Sequence, residues 1–245
     1  MDQEEFDSLK DKTGTLIEVD TKYIKIEDGV TTEVPEKEAL IEYKKLKDKE
    51  KKKLNGDISI QAEIGTDVEN TSWMQLLTTV STVSTGVWQV KNSFNWWTEP
   101  VWTLEDAIGI SHPEYQTPDM NSERFTYTYD RHTNNTNLTY VSTGTKTKST
   151  ADDKNSNGMA FKYDIIESEY VNGTKYLVLN HRGKMYYDFR KASSQYTRGA
   201  VYGHYTHTEM GIVGSIGVKI SLNSLSVSGA AKQTKMTDTG VSFSF

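Results

Sequence analysis

Residues 153–158 read Asp153-Lys154-Asn155-Ser156-Asn157-Gly158. Oxygen-bearing side chains at the first, third and fifth places, followed by a glycine that permits a sharp turn, are the opening of a calcium loop. The twelfth place falls on Asp164, a carboxylate one methylene shorter than the preferred Glu. Asp153, Asn155, Asn157 and Asp164 are therefore the candidate ligands, and calcium is the one cofactor the sequence offers. The same residues also read as a hairpin turn at Asn157-Gly158, because the following MAFKYDII has the composition of a strand.

Other chemistry is thinner. His204 and His207 are three apart in an alternating stretch, so on a strand they face apart, and a catalytic zinc takes three protein ligands. Scattered surface or half-buried histidines are the expectation. Glu99, Glu105 and Asp106 adjoin the tryptophan-rich region and could supply a carboxylate pair for glycoside hydrolysis. Neighbours at 105 and 106 would point apart, however, and Asp106 reads as a capping acid in a short helix opened by Thr103 and stopped by Gly109. The chain has no cysteine, and it lacks HExxH, G-x-S-x-G and P-loop motifs. Gly214-Ser215-Ile216-Gly217 is a near-miss, better read as a glycine-spaced strand. The expectation is a non-enzymatic protein.

All five tryptophans lie between Trp73 and Trp102. Trp88, Phe94 and Trp96 share one parity and should fill a core. Trp97 falls on the opposite face and Trp102 lies beyond the turn at Pro100. Trp97, Trp102 and Tyr115 are therefore the rings expected at the surface, where they could stack on a sugar face.

The elements that must carry these residues are mostly strands. Residues 1–55 hold 12 Lys and 15 Asp/Glu and read as a charged N-terminal segment: a hairpin turning at Asp28-Gly29, then a helix from Pro35 to Asn55-Gly56 with Leu40, Tyr43 and Leu46 at helical spacing. It would serve as a spacer or tether. Residues 56–245 form the second unit. Alternation at Ile58, Ile60, Ala62 and Ile64, at Phe125, Tyr127 and Tyr129, and in the closing GVSFSF, with Gly/Asn/Asp turns between, predicts an all-β antiparallel sandwich or related barrel.

Composition narrows the partners. A formal charge of −6 argues against nucleic acid, whose backbone needs a basic face. No apolar stretch approaches the roughly 20 residues of a membrane-spanning helix. Zero cysteines fit export from a Gram-positive cell better than a reducing compartment. The acidic start MDQEEF is not a leader, so an export signal is expected to have been removed.

The region around Phe94, Trp96 and Pro100, followed by Asp106, Ile108, Gly109, Ile110 and His112, resembles a group of secreted Firmicutes proteins of uncharacterised role. Their shared pattern is F-x-W-x-x-x-P followed by D-x-I-G-[IL]-x-H. The resemblance implies an extracellular β protein and lends no catalytic residue.

The leading expectation is an exported surface or secreted protein that binds a cell-wall polymer, another carbohydrate or a partner protein. The alternative is a β-pore-forming or membrane-active protein, in which Ser/Thr-rich stretches at 138–150 and 220–234 refold as amphipathic hairpins. Against this, Leu225 and Val227 break the phase set by Ile220 and Leu222, which points to a turn at Asn223-Ser224. An extracellular hydrolase is the third reading.

Overall fold

The computed structural model describes residues 15–54, 71–100, 102–135, 138–210 and 215–245. The expected strand at residues 58–64 lies outside them.

The chain is all-β, and two antiparallel sheets face each other across one core. The first sheet runs β2 (Val30–Val34), β1 (Thr15–Glu27), β3 (Thr71–Ser84), β4 (Val87–Trp96), β12 (Thr174–Lys191), β7 (Arg124–Thr133), β8 (Tyr140–Lys148), with β6 (Gln116–Pro118) and β11 (Ser168–Val171) also pairing with β12. The second runs β16 (Lys232–Lys235), β13 (Arg198–Met210), β5 (Glu105–Ser111), β10 (Gly158–Asp164), β9 (Asp153–Asn155), with β17 (Thr239–Ser244) pairing with β13. Among the described residues a separate hairpin, β14 (Gly217–Ser221) and β15 (Ser224–Ser228), completes the strands, and α1 (Glu36–Leu54) is the helix.

Period-two alternation sets the core. Trp88, Val90, Phe94 and Trp96 project from β4 beside Phe125, Tyr127 and Tyr129 of β7, and all are buried. From the second sheet Ile108, Ile110, Phe161, Tyr163 and Tyr205 meet them. Burying each such side chain is worth about 1.5–3 kcal/mol. One polar cluster crosses the mid-core. Asn92 donates to the carbonyls of Gly109 (3.0 Å) and His204 (3.1 Å) and accepts from Thr78, whose hydroxyl also meets that of Thr239 at 2.6 Å. These bonds tie the sheets together and fix their register, because leaving any of them unmade would strand a buried polar group.

The charged N-terminal segment is not a detached tether. Its hairpin forms as read, with Asp28 and Gly29 both at positive φ (53° and 78°), the conformation that two-residue hairpin turns demand. But β1 is hydrogen-bonded to β3 from Thr15↔Thr82 to Glu27↔Thr71, which makes it part of the first sheet. Helix α1 lies on the outer face of that sheet, where Ala39, Tyr43 and Leu46 pack against Tyr23, Trp73 and Trp97.

The short helix expected at 103–109 is a strand. Every residue from Asp106 to Ser111 is buried, because β5 sits between β10 and β13 and is covered on both faces. Helical capping signals at Thr103 and Gly109 lose to two ladders of backbone hydrogen bonds.

Candidate functional site

The β14–β15 hairpin is the most unusual element. Among the described residues its strands pair only with each other. Val218 stands opposite Val227 and Ile220 opposite Leu225, so the four apolar side chains share one face. Lys219, Ser224, Ser226 and Ser228 occupy the parity of the other. The apparent phase break in the sequence is the turn itself, with Asn223 at φ 56°. A two-residue turn brings even positions on one strand onto the same face as odd positions on the next.

The apolar face rests on a floor of small residues. Ile216, Ile220 and Leu225 pack on Ala107 and Ala160, and a Cβ built on Gly109 would lie 3.1 Å from Ile220 Cδ1. Side chains of the second sheet hold the hairpin's edges. The Ile220 N–H donates to Asp153 Oδ2 (2.7 Å) and the Ile220 carbonyl accepts from Asn155 Nδ2 (3.0 Å). Ahead of β14, the Ile216 N–H donates to Glu105 Oε2 (2.6 Å) while Lys162 Nζ donates to the Ile216 carbonyl (2.8 Å). Among the described residues the attachment is these four bonds to the main chain, further bonds of the Ser215 hydroxyl with Glu105 and Lys162, and an apolar contact, with no backbone ladder to the sheet.

A second feature lies at one mouth of the sandwich. A pocket of about 230 Å³ opens where the β1–β2 turn, β3, β13 and β16 meet the 97–104 connection between the sheets. Trp96 and His207 form its inner wall, their rings 5.2 Å apart and edge to face. Trp102, 41% exposed, forms its outer wall. Glu209 enters paired with Lys232 and hydrogen-bonded by the Thr234 hydroxyl. Behind the wall is a buried polar network. His207 Nδ1 lies 3.0 Å from both oxygens of Asp106, Tyr205 donates to Asp106 (2.6 Å), and Trp96 Nε1 donates to the Tyr205 hydroxyl (3.2 Å). Burial of the His207 ring opposes its charge, but Asp106, with Glu209 beyond it, outweighs that and lifts its pKa above the ordinary 6.5. Burial, then the neighbouring Asp106 charge, pushes the Tyr205 phenol far up, so it remains a hydrogen-bond donor.

A Ser–His–Asp line also occurs, unannounced by any motif. Ser111 Oγ lies 2.8 Å from His204 Nε2, and His204 Nδ1 lies 2.8 Å from Asp238 Oδ1. Ser111 and His204 are both 0% exposed, so the hydroxyl is closed to the substrate carbonyl that such chemistry needs. The line pins β5 and β13 to the segment ahead of β17.

The sequence-nominated residues separate. Trp97 does face away from Trp96, but it is 7% exposed under α1, with Tyr43 at 4.7 Å and Tyr23 at 5.5 Å. Its expected exposure is corrected by the helix. Trp102 is exposed as expected. Tyr115 is half-buried against Tyr196 (5.4 Å), beyond the far end of β5, whose seven residues span about 20 Å. The three rings therefore form no common surface.

The calcium loop does not assemble either. Asp153 and Asn155 lie in β9 and bond to Ile220, Asn155 Oδ1 accepts from the Asn157 N–H (2.8 Å), and Asp164 pairs with Glu105 at the opposite end of β10. Strand β10 carries Asp164 away from the turn, where a calcium loop would need it to fold back. Gly158, at φ 145°, sits where a Cβ would come 2.0 Å from the Ile110 carbonyl. Close backbone approach explains the glycine. Among the described residues no cluster of three His, Asp or Glu could hold a metal ion.

No family model matches the chain. No curated protein matches it either. Among solved structures, one described as a "Pore forming protein" aligns over 70% of this chain and 86% of its own, at 4% identity and a TM-score of 0.32.

The sequence named neither Asp106 and His207 as partners nor Asp153 and Asn155 as latches. The one usable signal was strand parity, which puts Asp106 on the face of Ile108 and Ile110, and His207 on the face of Tyr205. Among the described residues no helix is long and apolar enough to cross a membrane, a statement that does not bear on strands.

Proposed function

We propose that the protein is membrane-active, and that its β14–β15 hairpin leaves the second sheet to enter a bilayer as one unit of a multi-copy β-barrel. The observation that carries this reading is the hairpin's isolation: it has one apolar face, one Lys/Ser face, and no strand partner beyond itself among the described residues. Membrane-spanning strands require that alternation, apolar toward lipid and polar toward the lumen. In the sequence even positions from Ile212 to Leu222 are apolar apart from Gly214, with Val213 off phase, and odd positions from Leu225 to Ala231 are apolar apart from Gly229, with Ala230 off phase. That approaches the roughly 9–11 residues a tilted strand needs to cross the hydrocarbon.

Release exchanges little. The latches on Ile216 and Ile220 are side-chain bonds that water can replace, and the apolar face trades a floor of Ala107, Gly109 and Ala160 for lipid. A lone hairpin would leave two backbone edges unsatisfied in hydrocarbon, so several copies must close the barrel.

Because the chain contains no cysteine, single cysteines can be placed at each position from 217 to 228 and labelled with an environment-sensitive fluorophore. On dye-loaded phosphatidylcholine vesicles the reading expects dye release and a two-residue alternation. Positions 218, 220, 225 and 227 should shift to apolar emission, and 219, 221, 224 and 226 should stay aqueous. Vesicles that remain sealed, with no position changing emission, would exclude this function.

A further inference from the structure

We infer that the pocket walled by Trp102, Trp96 and His207 is a binding site for a single neutral pyranose ring. The chemistry of its lining selects that ligand class. Trp102 presents an indole that is 41% exposed, held on the connection between sheets by anchors on both sides. Glu99 accepts from the Asn180 N–H (2.9 Å) and lies 2.9 Å from His181 Nε2, while the Leu104 carbonyl accepts from the Ile165 N–H (3.0 Å). An exposed aromatic ring on a connection held at Glu99 and Leu104 needs little ordering to act as a stacking surface. It offers a flat apolar face to the axial C–H groups of a sugar.

The polar complement decides against other ligands. Glu209 is 4% exposed and His207 3% exposed, so both project into the pocket from buried positions. Lys232 stands beside Glu209, and Asp28 and Ser72 also line the pocket. A phosphate or carboxylate ligand would meet the carboxylates of Glu209 and Asp28. A quaternary amine would meet Lys232 and an imidazole whose charge Asp106 favours. An acyl chain would bury the Glu209–Lys232 pair and the Asp28 carboxylate against hydrocarbon and away from water. A ligand with several hydroxyls and no charge can donate to the carboxylates and accept from the ammonium while its ring face covers Trp102. A pocket of about 230 Å³ has room for one ring, with the rest of any glycan directed to solvent past Trp102.

The same pyranose could stand at the end of a free oligosaccharide or form the headgroup of a glycolipid. Neither source depends on the hairpin, so this site and the membrane reading can fail separately.

The test uses the full chain and a panel of methyl glycosides: β-galactoside, β-glucoside, α-mannoside and N-acetyl-β-glucosaminide. Saturation-transfer NMR and tryptophan emission are recorded without lipid. The expected result is saturable binding of at least one member, weakened at least tenfold by Trp102→Ala and largely restored by Trp102→Phe. Tyr115→Ala, beyond the far end of β5, should leave binding unchanged. Circular dichroism of each variant confirms that it folds. Flotation with vesicles bearing or lacking a glycolipid with the selected sugar then tells the sources apart, and binding to either sugar form supports the site. Absence of saturable binding across the panel, or equal binding by Trp102→Ala, would overturn it.

Discussion

The main-chain N–H of Ile220 donates to the carboxylate of Asp153 at 2.7 Å. Asn155, on the same short strand, returns a side-chain N–H to the Ile220 carbonyl at 3.0 Å. One residue of the hairpin thus has both of its backbone groups satisfied by side chains of another sheet. Residues that resemble calcium ligands in the sequence act in the fold as a clasp.

Removing the clasp should loosen the hairpin without unfolding the sandwich. A hydrogen bond to a charged group contributes about 1.5–3 kcal/mol, so Asp153→Ala should raise amide exchange across 217–228 by one to two orders of magnitude. Exchange in β4 and β7 should hold at wild-type rates. If the hairpin amides of the variant exchange as slowly as before, the small-residue floor holds the hairpin and Asp153 does not.

Stability should fall from mildly acidic toward alkaline pH through one buried pair. Against the opposing effect of burial, Asp106 and Glu209 raise the folded-state pKa of His207 above 6.5. A raised folded pKa means the charged ring stabilises the native state fully below pH 6.5, and the contribution is lost as pH climbs through the folded value. Wild-type protein should therefore melt at a lower temperature at pH 8.5 than at pH 6. His207→Gln should flatten that difference. A melting temperature equally pH-dependent in the variant would assign the effect to other groups.

The two adjacent-sounding tryptophans should behave oppositely. Trp97 sits in the cluster beneath α1, and truncating a buried indole costs about 3–5 kcal/mol. Trp97→Ala should lower the urea midpoint and reduce the helical signal as α1 undocks. Trp102 is largely outside the core, so Trp102→Ala should stay within about 0.5 kcal/mol of wild type. Equal losses in both variants would contradict this placement.

Legibility in the sequence followed the range of each signal. Strand alternation is local, so the all-β class, the β1–β2 turn and the inward rings of β4 and β7 could be read from neighbours alone. The parity of Trp97 was equally legible, but its exposure was not, because a helix some fifty residues earlier covers it. Strand β5 was misread as helix because Thr103, Asp106 and Gly109 satisfy a capping pattern locally, while the ladders that overrule it come from β10 and β13. The pocket residues come from β1, the β1–β2 turn, β3, β4, β13, β16 and the connection after β4, and no spacing rule joins them. The apolar face of the hairpin was hidden by its own turn, which looks like a phase error until the two strands are laid side by side.

Close approach between the sheets gives the sharpest steric forecast. A Cβ on Gly203 would stand 2.0 Å from Thr78 Oγ1, 2.5 Å from Thr239 Oγ1 and 2.8 Å from Asn92 Cγ. All three neighbours belong to the polar tie between the sheets and are fully buried, so none can move aside without leaving a hydrogen bond unmade. Overpacking costs about 1–3 kcal/mol, and an unsatisfied buried group adds about the same again. Gly203→Ala should therefore destabilise by several times more than Gly240→Ala, whose Cβ would meet only the Tyr202 ring at 3.4 Å. Urea unfolding of the two variants side by side measures the gap. A Gly203→Ala protein as stable as Gly240→Ala would mean the sheets can separate by the width of a methyl group, and the tie through Thr78, Asn92 and Thr239 would then not set their spacing.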